Sequence, residues 1–123
     1  MSFFIDDDRP IFAQIAIRVE NDIIEEILKE EDQVPSTNQF AAYYNINPAT
    51  AAKGVNLLVD KGILYKKRGI GMFVAAGARS RLLEDRKKQF DEQYVKPMLQ
   101  EAAKLGITSG QVIELIRKGE RGQ

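Results

Sequence analysis

Apolar residues return at intervals of three to four positions through the first quarter of the chain. The series consists of Ile11, Ile15, Val19, Ile23 and Ile27, and it is widened by Phe12, Ile24 and Leu28. This period predicts one long amphipathic helix from about residue 9 to residue 31. Pro10 suits the first turn of such a helix, and the acidic run Asp6–Asp8 suits the positive end of its dipole.

Two shorter helices are predicted next. Ser36, with Gln39 three residues later, has the spacing of a capping box, which predicts the start of a helix. Asn47 and Pro48 predict the N-cap and the first position of another helix, and Gly62 predicts its end. Their inward-facing positions are Phe40, Ala41, Ala51, Val55 and Leu58. Two helices joined by a short turn are typical of a helix-turn-helix.

A β-hairpin is predicted directly after these helices. Residues 63–68 and 72–74 are rich in β-branched, aromatic and basic side chains, and Gly69 and Gly71 lie between them. Glycines between two strand-like runs indicate the tip of a hairpin. Because they open no helix, they indicate a turn rather than a phosphate-binding loop. A hairpin in this position corresponds to the wing of a winged helix.

The last third of the chain predicts further helices. A small-residue linker is expected at residues 75–78, followed by a helical stretch over residues 81–104 that Pro97 kinks or breaks near Lys96. Thr108 caps the last helix, with Gln111 at the capping-box position. The apolar positions are Leu83, Phe90, Tyr94, Met98, Leu99, Val112 and Ile116. So short an appendage cannot bury them alone, so we expect a dimer interface, the alternative being helices that fold back on the winged domain.

Together these elements predict a mainly α-helical chain with a small β-hairpin. We expect a winged helix-turn-helix DNA-binding domain in residues 1–77 and a two-helix C-terminal dimerisation region in residues 78–123. The sequence contains no internal repeat and no low-complexity tract.

Composition narrows the range of functions. The chain has no Cys and no His, which excludes disulfides, thiolate metal sites and the commonest general base. No paired carboxylates and no nucleophile–base pair stand out, so we expect no catalytic residue, no metal site and no cofactor. No apolar run approaches the roughly 20 residues that span a bilayer. These features predict a cytoplasmic protein that is not an enzyme.

The charges are unevenly distributed although the net charge is zero. Residues 1–35 carry ten acidic and three basic side chains, residues 36–81 carry one and seven, and residues 82–123 carry seven and eight. The middle segment is therefore strongly basic. A nucleic-acid-binding face would produce this distribution, and so would a solvated surface with uneven charge.

Four motifs resemble a known family in their order and spacing. They are Pro10–Ile15, Val34–Ser36, Asn47–Thr50 and Gly69–Val74. On these motifs the chain resembles the GntR family of bacterial transcription regulators, over nearly its whole length, and Leu105–Ile107 is similar to its YtrA-like branch. The resemblance implies a homodimer that binds a roughly palindromic operator in double-stranded DNA, usually as a repressor.

Several positions depart from the pattern of that family. Asn38 stands where the second helix commonly carries an arginine, and Ile70 stands where the wing commonly carries a lysine. A further family arginine would fall at Ala52 or Lys53, of which only Lys53 keeps the charge. These departures favour an alternative function, a winged-helix protein-interaction module with weak or lost DNA binding.

The fold and the resemblance together nominate DNA contacts in three places. The start of the recognition helix would meet base edges, the start of the preceding helix would bind phosphates, and a wing arginine would enter the minor groove. The predicted contacts are Asn47, Ala49, Thr50 and Lys53 for the recognition helix, Ser36, Thr37 and Asn38 for the preceding helix, and Lys66, Arg68, Gly69 and Gly71 for the wing. Asn47 is expected to serve first as a helix cap, and the basic wing could instead be a solvated edge strand.

A small-molecule effector is a further predicted partner. The YtrA-like branch is associated with transporter genes, so the resemblance implies that a transported compound could bind between the C-terminal helices and the winged domain. No polar constellation in the sequence identifies that compound.

Overall fold

The structure is a computed structural model that describes residues 9–122. Within this range six α-helices, one π-helical segment and a two-stranded antiparallel sheet follow one another along the chain. The helices are α1 (Ile11–Ile24), α2 (Thr37–Tyr44), α3 (Pro48–Asp60), α4 (Ala78–Phe90), α5 (Lys96–Lys104) and α6 (Ser109–Arg121). The strands are β1 (Leu64–Lys67) and β2 (Gly71–Val74), and the π-helical segment is Asp91–Val95. The predicted class, mainly α-helical with a small hairpin, is confirmed.

Helix α1 is shorter than predicted. It begins at Ile11 after Pro10 and ends at Ile24, well before residue 31. The backbone turns left-handed at Glu26, with a φ of 62°, and the N–H groups of Glu26 and Ile27 bond back to the carbonyls of Ile23 and Asp22. As a result Ile27 leaves the apolar stripe and is 65% exposed. The predicted role of Asp6–Asp8 concerns residues outside the described range.

The two helices of the helix-turn-helix begin where the sequence predicts, and α3 ends at Asp60, close to the predicted end at Gly62. Ser36 and Gln39 form a complete capping box at the start of α2. Asn47 caps α3, whose first residue is Pro48. Asn45 adopts a left-handed conformation that ends α2. Helix α3 then packs across α1 and α2, where Ala51, Val55 and Leu58 are fully buried.

The hairpin has the predicted tip, and residues 31–34 lie beside it as a third segment. Leu64 pairs with Val74 and Lys67 with Gly71. The chain before α2 lies along β2: the N–H groups of Glu31 and Val34 donate to the carbonyls of Val74 and Met72 at 2.8 and 2.9 Å. The sequence did not predict this segment, because residues so far apart in the chain are paired here by tertiary contact.

A single apolar core holds the first compact unit, Met1–Leu83, together. Its largest fully buried side chains are Val19, Ile23, Val55, Leu58, Leu64 and Val74. They come from α1, α3 and both strands, so the core ties the hairpin to the helices. Burying an aliphatic side chain of this size contributes roughly 1.5–3 kcal/mol relative to leaving it exposed.

Helix α4 begins earlier than predicted. The expected linker reached residue 78, and the helix was expected from residue 81, but Ala78 is the first residue of α4 and has no exposed surface. The regular helix then gives way to the π-helical segment Asp91–Val95 directly before Lys96 and Pro97. The predicted break near Lys96 is therefore confirmed, although it takes the form of a wider helical turn.

The second compact unit is Glu84–Gln123. Thr108 and Gln111 form the predicted capping box at the start of α6. The buried side chains of this unit, within the described range, are Ala102 and Val112. The division into units falls after Leu83, and the predicted boundary between residues 77 and 78 stays a prediction. None of the helices described is long and apolar enough to traverse a bilayer.

Candidate nucleic-acid interface

The capping box at the start of α2 uses some of the first backbone N–H groups of the helix and leaves others available. The Gln39 N–H donates to Ser36 Oγ at 3.1 Å, and the Ser36 N–H donates to Gln39 Oε1 at 2.7 Å. The N–H groups of Thr37 and Asn38 have no hydrogen-bond partner within residues 9–122. Both lie at the positive end of the helix dipole, an arrangement suited to binding an anion such as a phosphate.

The start of α3 combines a cap with short exposed side chains. The Ala49 N–H donates to Asn47 Oδ1 at 2.7 Å, which confirms the predicted cap. Asn47 and Ala49 are exposed, and Thr50 is half-buried. Short side chains at this point allow another molecule to approach the helix closely.

Lys53, one turn further along α3, is held by an aromatic ring. Its Nζ lies 4.1 Å from the centre of the Phe12 ring of α1. The ring face attracts the ammonium and limits the positions it can take. The sequence pattern places Phe12 only on the apolar stripe of α1, since nothing in the local pattern relates it to a residue some forty positions later.

Two glycines shape the turn of the wing. The Ile70 N–H donates to the Lys67 carbonyl at 2.9 Å, and Gly69 between them has a φ of +76°, which a type II turn requires at its third position. At Gly71, a Cβ atom would lie 2.5 Å from Gln33 Nε2, which itself donates to the Ile70 carbonyl at 3.1 Å. The third segment therefore supports the wing tip through Gln33, a residue that sequence analysis missed.

The basic side chains of the wing do not share one environment. Tyr65 and Phe73 are cross-strand partners with stacked rings whose centres lie 5.9 Å apart. Lys67 Nζ lies 4.5 Å from the centre of the Phe73 ring, on the same side of the sheet. Lys66 is exposed on the other side, and Arg68 is exposed at the turn. Arg68 is thus presented at the tip, and no aromatic ring within residues 9–122 contacts it.

A hydrogen bond joins the third segment to β1. The Tyr65 hydroxyl donates to Glu31 Oε1. This bond to the carboxylate, rather than burial, is the main cause of a pKa for Tyr65 above its ordinary value of 10.0. The phenol therefore stays neutral, and keeps its proton for this bond, throughout the neutral range.

The basic residues of segment 36–81 divide into two groups. Lys61 pairs with Glu20 at 3.7 Å and Arg79 with Glu26 at 3.8 Å, while Arg81 donates to backbone carbonyls. The second group consists of Lys53, Lys66, Lys67 and Arg68. No carboxylate within residues 9–122 lies within 4.0 Å of these side chains. The positive charge predicted from the sequence is thus concentrated on α3 and the wing.

Titratable groups elsewhere do not suggest another kind of site. Burial is the main cause of a raised pKa at Asp22 and at Tyr44, and both side chains interact with or lie near Arg18 in the packing of α1 and α2. Residues 9–122 contain no group of three or more acidic side chains placed to hold a metal ion.

Most of the predicted dimer residues are exposed in the single chain. Phe90 and Tyr94 lie with ring centres 5.5 Å apart and are 58% and 63% exposed. Leu83 is half-buried, and Val112 is already covered, with 7% of its surface exposed. The remaining exposed members are Met98, Leu99 and Ile116. Three further apolar side chains are exposed as well but are not among the predicted dimer contacts: Leu105, Ile113 and Leu115.

A known protein family matches both the helix-turn-helix and the wing of this chain. The description "Bacterial regulatory proteins, gntR family" matches residues 12–74. These residues contain all of α1 except Ile11, the helix-turn-helix and the hairpin, so the match covers the region that carries Lys53 and the basic residues of the wing.

Individual relatives extend the similarity to most of the chain. The HTH-type transcriptional repressor YtrA of Bacillus subtilis is 28% identical over 109 residues, which are 89% of this chain and 83% of YtrA. A crystal structure from Bacteroides thetaiotaomicron, described as a GntR-family transcriptional regulator, has a TM-score of 0.77 and 31% identity over 93% of this chain and 99% of that one.

A structure that contains DNA shares the fold of the first unit. The DNA-binding domain of AraR, solved in complex with an operator, has a TM-score of 0.53 and 24% identity, covering 61% of this chain and 92% of that domain. At this identity the likeness shows the winged-helix fold alone.

Proposed function

This chain belongs to the GntR family of bacterial regulatory proteins, and from that membership we propose that it represses transcription as a homodimer bound to a roughly palindromic operator. It would act by binding rather than by catalysis. Since such a regulator works where bacterial DNA lies, we place it in the cytoplasm.

The observation that carries this proposal is the group of four cations that have no carboxylate partner within residues 9–122. Lys53 on α3 and the three basic wing residues keep their charge available for another molecule, while the other bases of the same segment serve internal contacts. Phosphates supply the complementary charge along the whole length of a DNA duplex. A solvated edge strand would account for the wing but not for Lys53.

Phosphate binding is assigned to the start of α2. The two backbone donors of Thr37 and Asn38 favour an anion, and the Asn38 amide and the Ser36 hydroxyl can add to them. The Ser36 hydroxyl already accepts one hydrogen bond in the capping box, and its own proton is available for a phosphate oxygen.

Base recognition is assigned to the start of α3. Thr50 can hydrogen-bond to a base edge, Ala49 can contact a thymine methyl group, and Lys53 can reach a guanine or a phosphate. Asn47 combines its cap with an exposed amide N–H₂, so one atom serves the helix while the other is available for DNA.

The wing is assigned to the minor groove. Arg68 at the tip is suited to its negative potential, with Lys66 on a neighbouring phosphate. Gly69 and Gly71 contribute backbone that can approach DNA closely, because neither carries a side chain.

The dimer is assigned to the exposed apolar side chains of the C-terminal helices. Phe90, Tyr94, Met98, Leu99 and Ile116 are the proposed contacts, with Leu83 at their edge. Val112 supports them from within its own unit. Apolar side chains of this size favour association when a partner removes them from water, and a two-fold dimer would place two recognition helices about one DNA turn, roughly 34–36 Å, apart.

The test is a salt-titrated binding assay with DNA selected by the protein itself. Duplexes enriched from a randomised pool and a scrambled control would be labelled, and binding would be followed by fluorescence anisotropy. We expect preference for the selected duplex and a steep loss of affinity as salt rises. Arg68→Ala should weaken binding and lower the slope against log salt by about one.

The matched control is Lys88→Ala, which removes an exposed cation from α4. It should leave both affinity and slope unchanged. Failure of the pool to enrich any sequence, together with equal binding to all duplexes at low salt, would overturn the proposal and favour a protein-interaction module.

A further inference from the structure

Two arginines in the first turns of α4 bind the carboxyl ends of two other helices. Arg81 donates from Nη1 to the Gly62 carbonyl at 3.1 Å and from Nη2 to the Lys61 carbonyl at 2.6 Å, at the end of α3. Arg79 donates from Nε to the Ile24 carbonyl at 2.9 Å, at the end of α1. All of these residues belong to the first unit.

The chemistry of these contacts favours arginine. The last carbonyls of a helix lack partners within the helix and carry the negative end of its dipole. A guanidinium is planar and holds two donors at a fixed separation, so Arg81 can satisfy two successive carbonyls at once. The same charge on a lysine would act as a single point and would not fix a direction.

Apolar packing holds the same stretch of α4 against the rest of the first unit. Ala78 has no exposed surface and Leu82 is 3% exposed, and both belong to the core. Just before the helix, the Gly77 N–H donates to Glu30 Oε1 at 2.7 Å. The buried residues fix where α4 lies, and the arginines, on other sides of the helix, limit its rotation and tilt.

The position of Arg81 relates α4 to the recognition helix. Lys61 is the C-cap of α3, so the guanidinium of Arg81 joins the end of the DNA-reading helix to a helix that continues without interruption to Phe90. Within the first unit, these two hydrogen bonds therefore tie the first turns of α4 to the end of α3.

We propose that Arg81, assisted by Arg79, is a positioning residue for operator recognition. Arg81 sets the separation between half-sites that the dimer accepts. The inference rests on the proposed function. Arg81 needs no contact with DNA for this role. It fixes the angle between α3 and α4 in each subunit, and that angle, repeated by the two-fold axis, determines how far apart and in what rotation two recognition helices meet the duplex.

The experiment compares single half-sites with paired half-sites. The half-site selected by the wild-type protein would be placed in duplexes alone, in the selected pair, and in pairs whose spacing is altered in single-base-pair steps across about half a helical turn. We expect the wild-type protein to lose about tenfold or more in affinity when the spacing departs from the selected one.

For Arg81→Met we expect unchanged affinity for the single half-site but a flattened dependence on spacing, to about threefold or less. Arg81→Lys keeps the charge but not the paired donors, so it should resemble Arg81→Met and not the wild type. Lys88→Met, which removes a charge from the same helix, should retain the wild-type spacing profile.

The outcomes separate this inference from the proposed function. If the wild-type protein binds no selected duplex, the proposed function fails. If it binds with a clear spacing preference and both Arg81 variants keep that preference, Arg81 merely stabilises the fold and the inference is overturned. Thermal unfolding of each variant identifies any that fail to fold, and Arg81→Lys then provides the comparison.

Discussion

Individual atoms determine how closely α1 and α3 can approach each other. At Gly54 the backbone of α3 comes so near to α1 that an added Cβ atom would lie 2.5 Å from the Phe12 carbonyl oxygen and 3.2 Å from Ile15 Cβ. A backbone oxygen inside a helix cannot move aside as the end of a flexible side chain can. The glycine is therefore required by packing.

Gly54→Ala should destabilise the protein by about 1–3 kcal/mol, because the two helices must separate to admit a methyl group. Urea unfolding followed by circular dichroism would measure the change. Gly119→Ala is the matched control: a Cβ there would meet no atom within 4 Å, so alanine should stabilise α6 by about 0.5–1 kcal/mol. Equal effects at the two positions would contradict the close approach of α1 and α3.

The hydrogen bond between Tyr65 and Glu31 predicts a pH dependence. Since the bond raises the pKa of Tyr65 above 10.0, its contribution to stability is present below the ordinary pKa and is lost as pH rises through the raised one. Glu31→Gln should lower the pKa of Tyr65 towards 10.0, which an alkaline titration of the Tyr65 ring signals by NMR would detect. Glu30→Gln removes a neighbouring charge without touching the phenol, and it should leave that pKa where it is in the wild type.

Four helices end with the same arrangement of backbone hydrogen bonds. In each, a left-handed residue and the residue after it donate back to two carbonyls of the last turn, which is the Schellman motif. The left-handed residues are Glu26, Asn45, Gly62 and Gly106. An isoleucine follows each of them. Glycine and asparagine tolerate this conformation, whereas for glutamate it is strained.

Glu26→Gly should therefore stabilise the protein by about 1 kcal/mol, since it relieves the left-handed strain at the end of α1. The ion pair with Arg79 that it removes is exposed and contributes little. Glu25→Gly makes the same chemical change at a residue with a φ of −84°, where glycine only adds freedom to the unfolded chain and should destabilise by about 0.5–1 kcal/mol. Thermal melts of both variants would measure the difference, and destabilisation by both would contradict it.

These helix ends explain which elements could be predicted. Ser36, Asn47 and Thr108 start helices through contacts with residues two or three positions away, so the sequence reveals them directly. Gly62 and Gly106 indicate helix ends because glycine adopts the left-handed conformation without strain. Glu26 gives no such signal, and the apolar period continues past it to Leu28, so the predicted α1 was too long.

Taken as a whole, the chain leaves much of its C-terminal apolar surface uncovered. Leu105, Ile113, Leu115 and Ile116 are each about half exposed or more, on helices whose polar faces are strongly charged. If this surface forms the dimer, Ile116→Glu should yield a monomer in sedimentation experiments. Its affinity for paired half-sites should fall about tenfold or more while single half-site affinity is kept.

Arg117→Glu introduces the same carboxylate one residue further along α6 and should remain dimeric. A monomeric wild-type protein, or an Ile116→Glu dimer of undiminished affinity, would contradict the proposed interface.

The candidate site was predictable only in part for a related reason. Its positions on α2, α3 and the wing follow from the order of elements along the chain. The roles of Phe12 beneath Lys53 and of Gln33 beneath the wing depend on contacts across 41 and 37 residues. Neither contact leaves a trace in local periodicity, so only the folded chain reveals them.

The π-helical segment Asp91–Val95 has a consequence for how this protein can tolerate insertions and deletions. Lys96 Nζ holds its first turn through Glu92 at 2.6 Å and Asp91 at 3.9 Å. A π-helical turn contains one residue more than an α-helical turn, so removal of one residue there would let α4 and α5 join as regular helix. Because the shortened turn would still wrap about once around the helix axis, the later side chains would keep their facing, whereas loss of one residue from a regular stretch of α4 would rotate them by about 100°. A single codon can thus be lost from this segment without changing which face the C-terminal helices present.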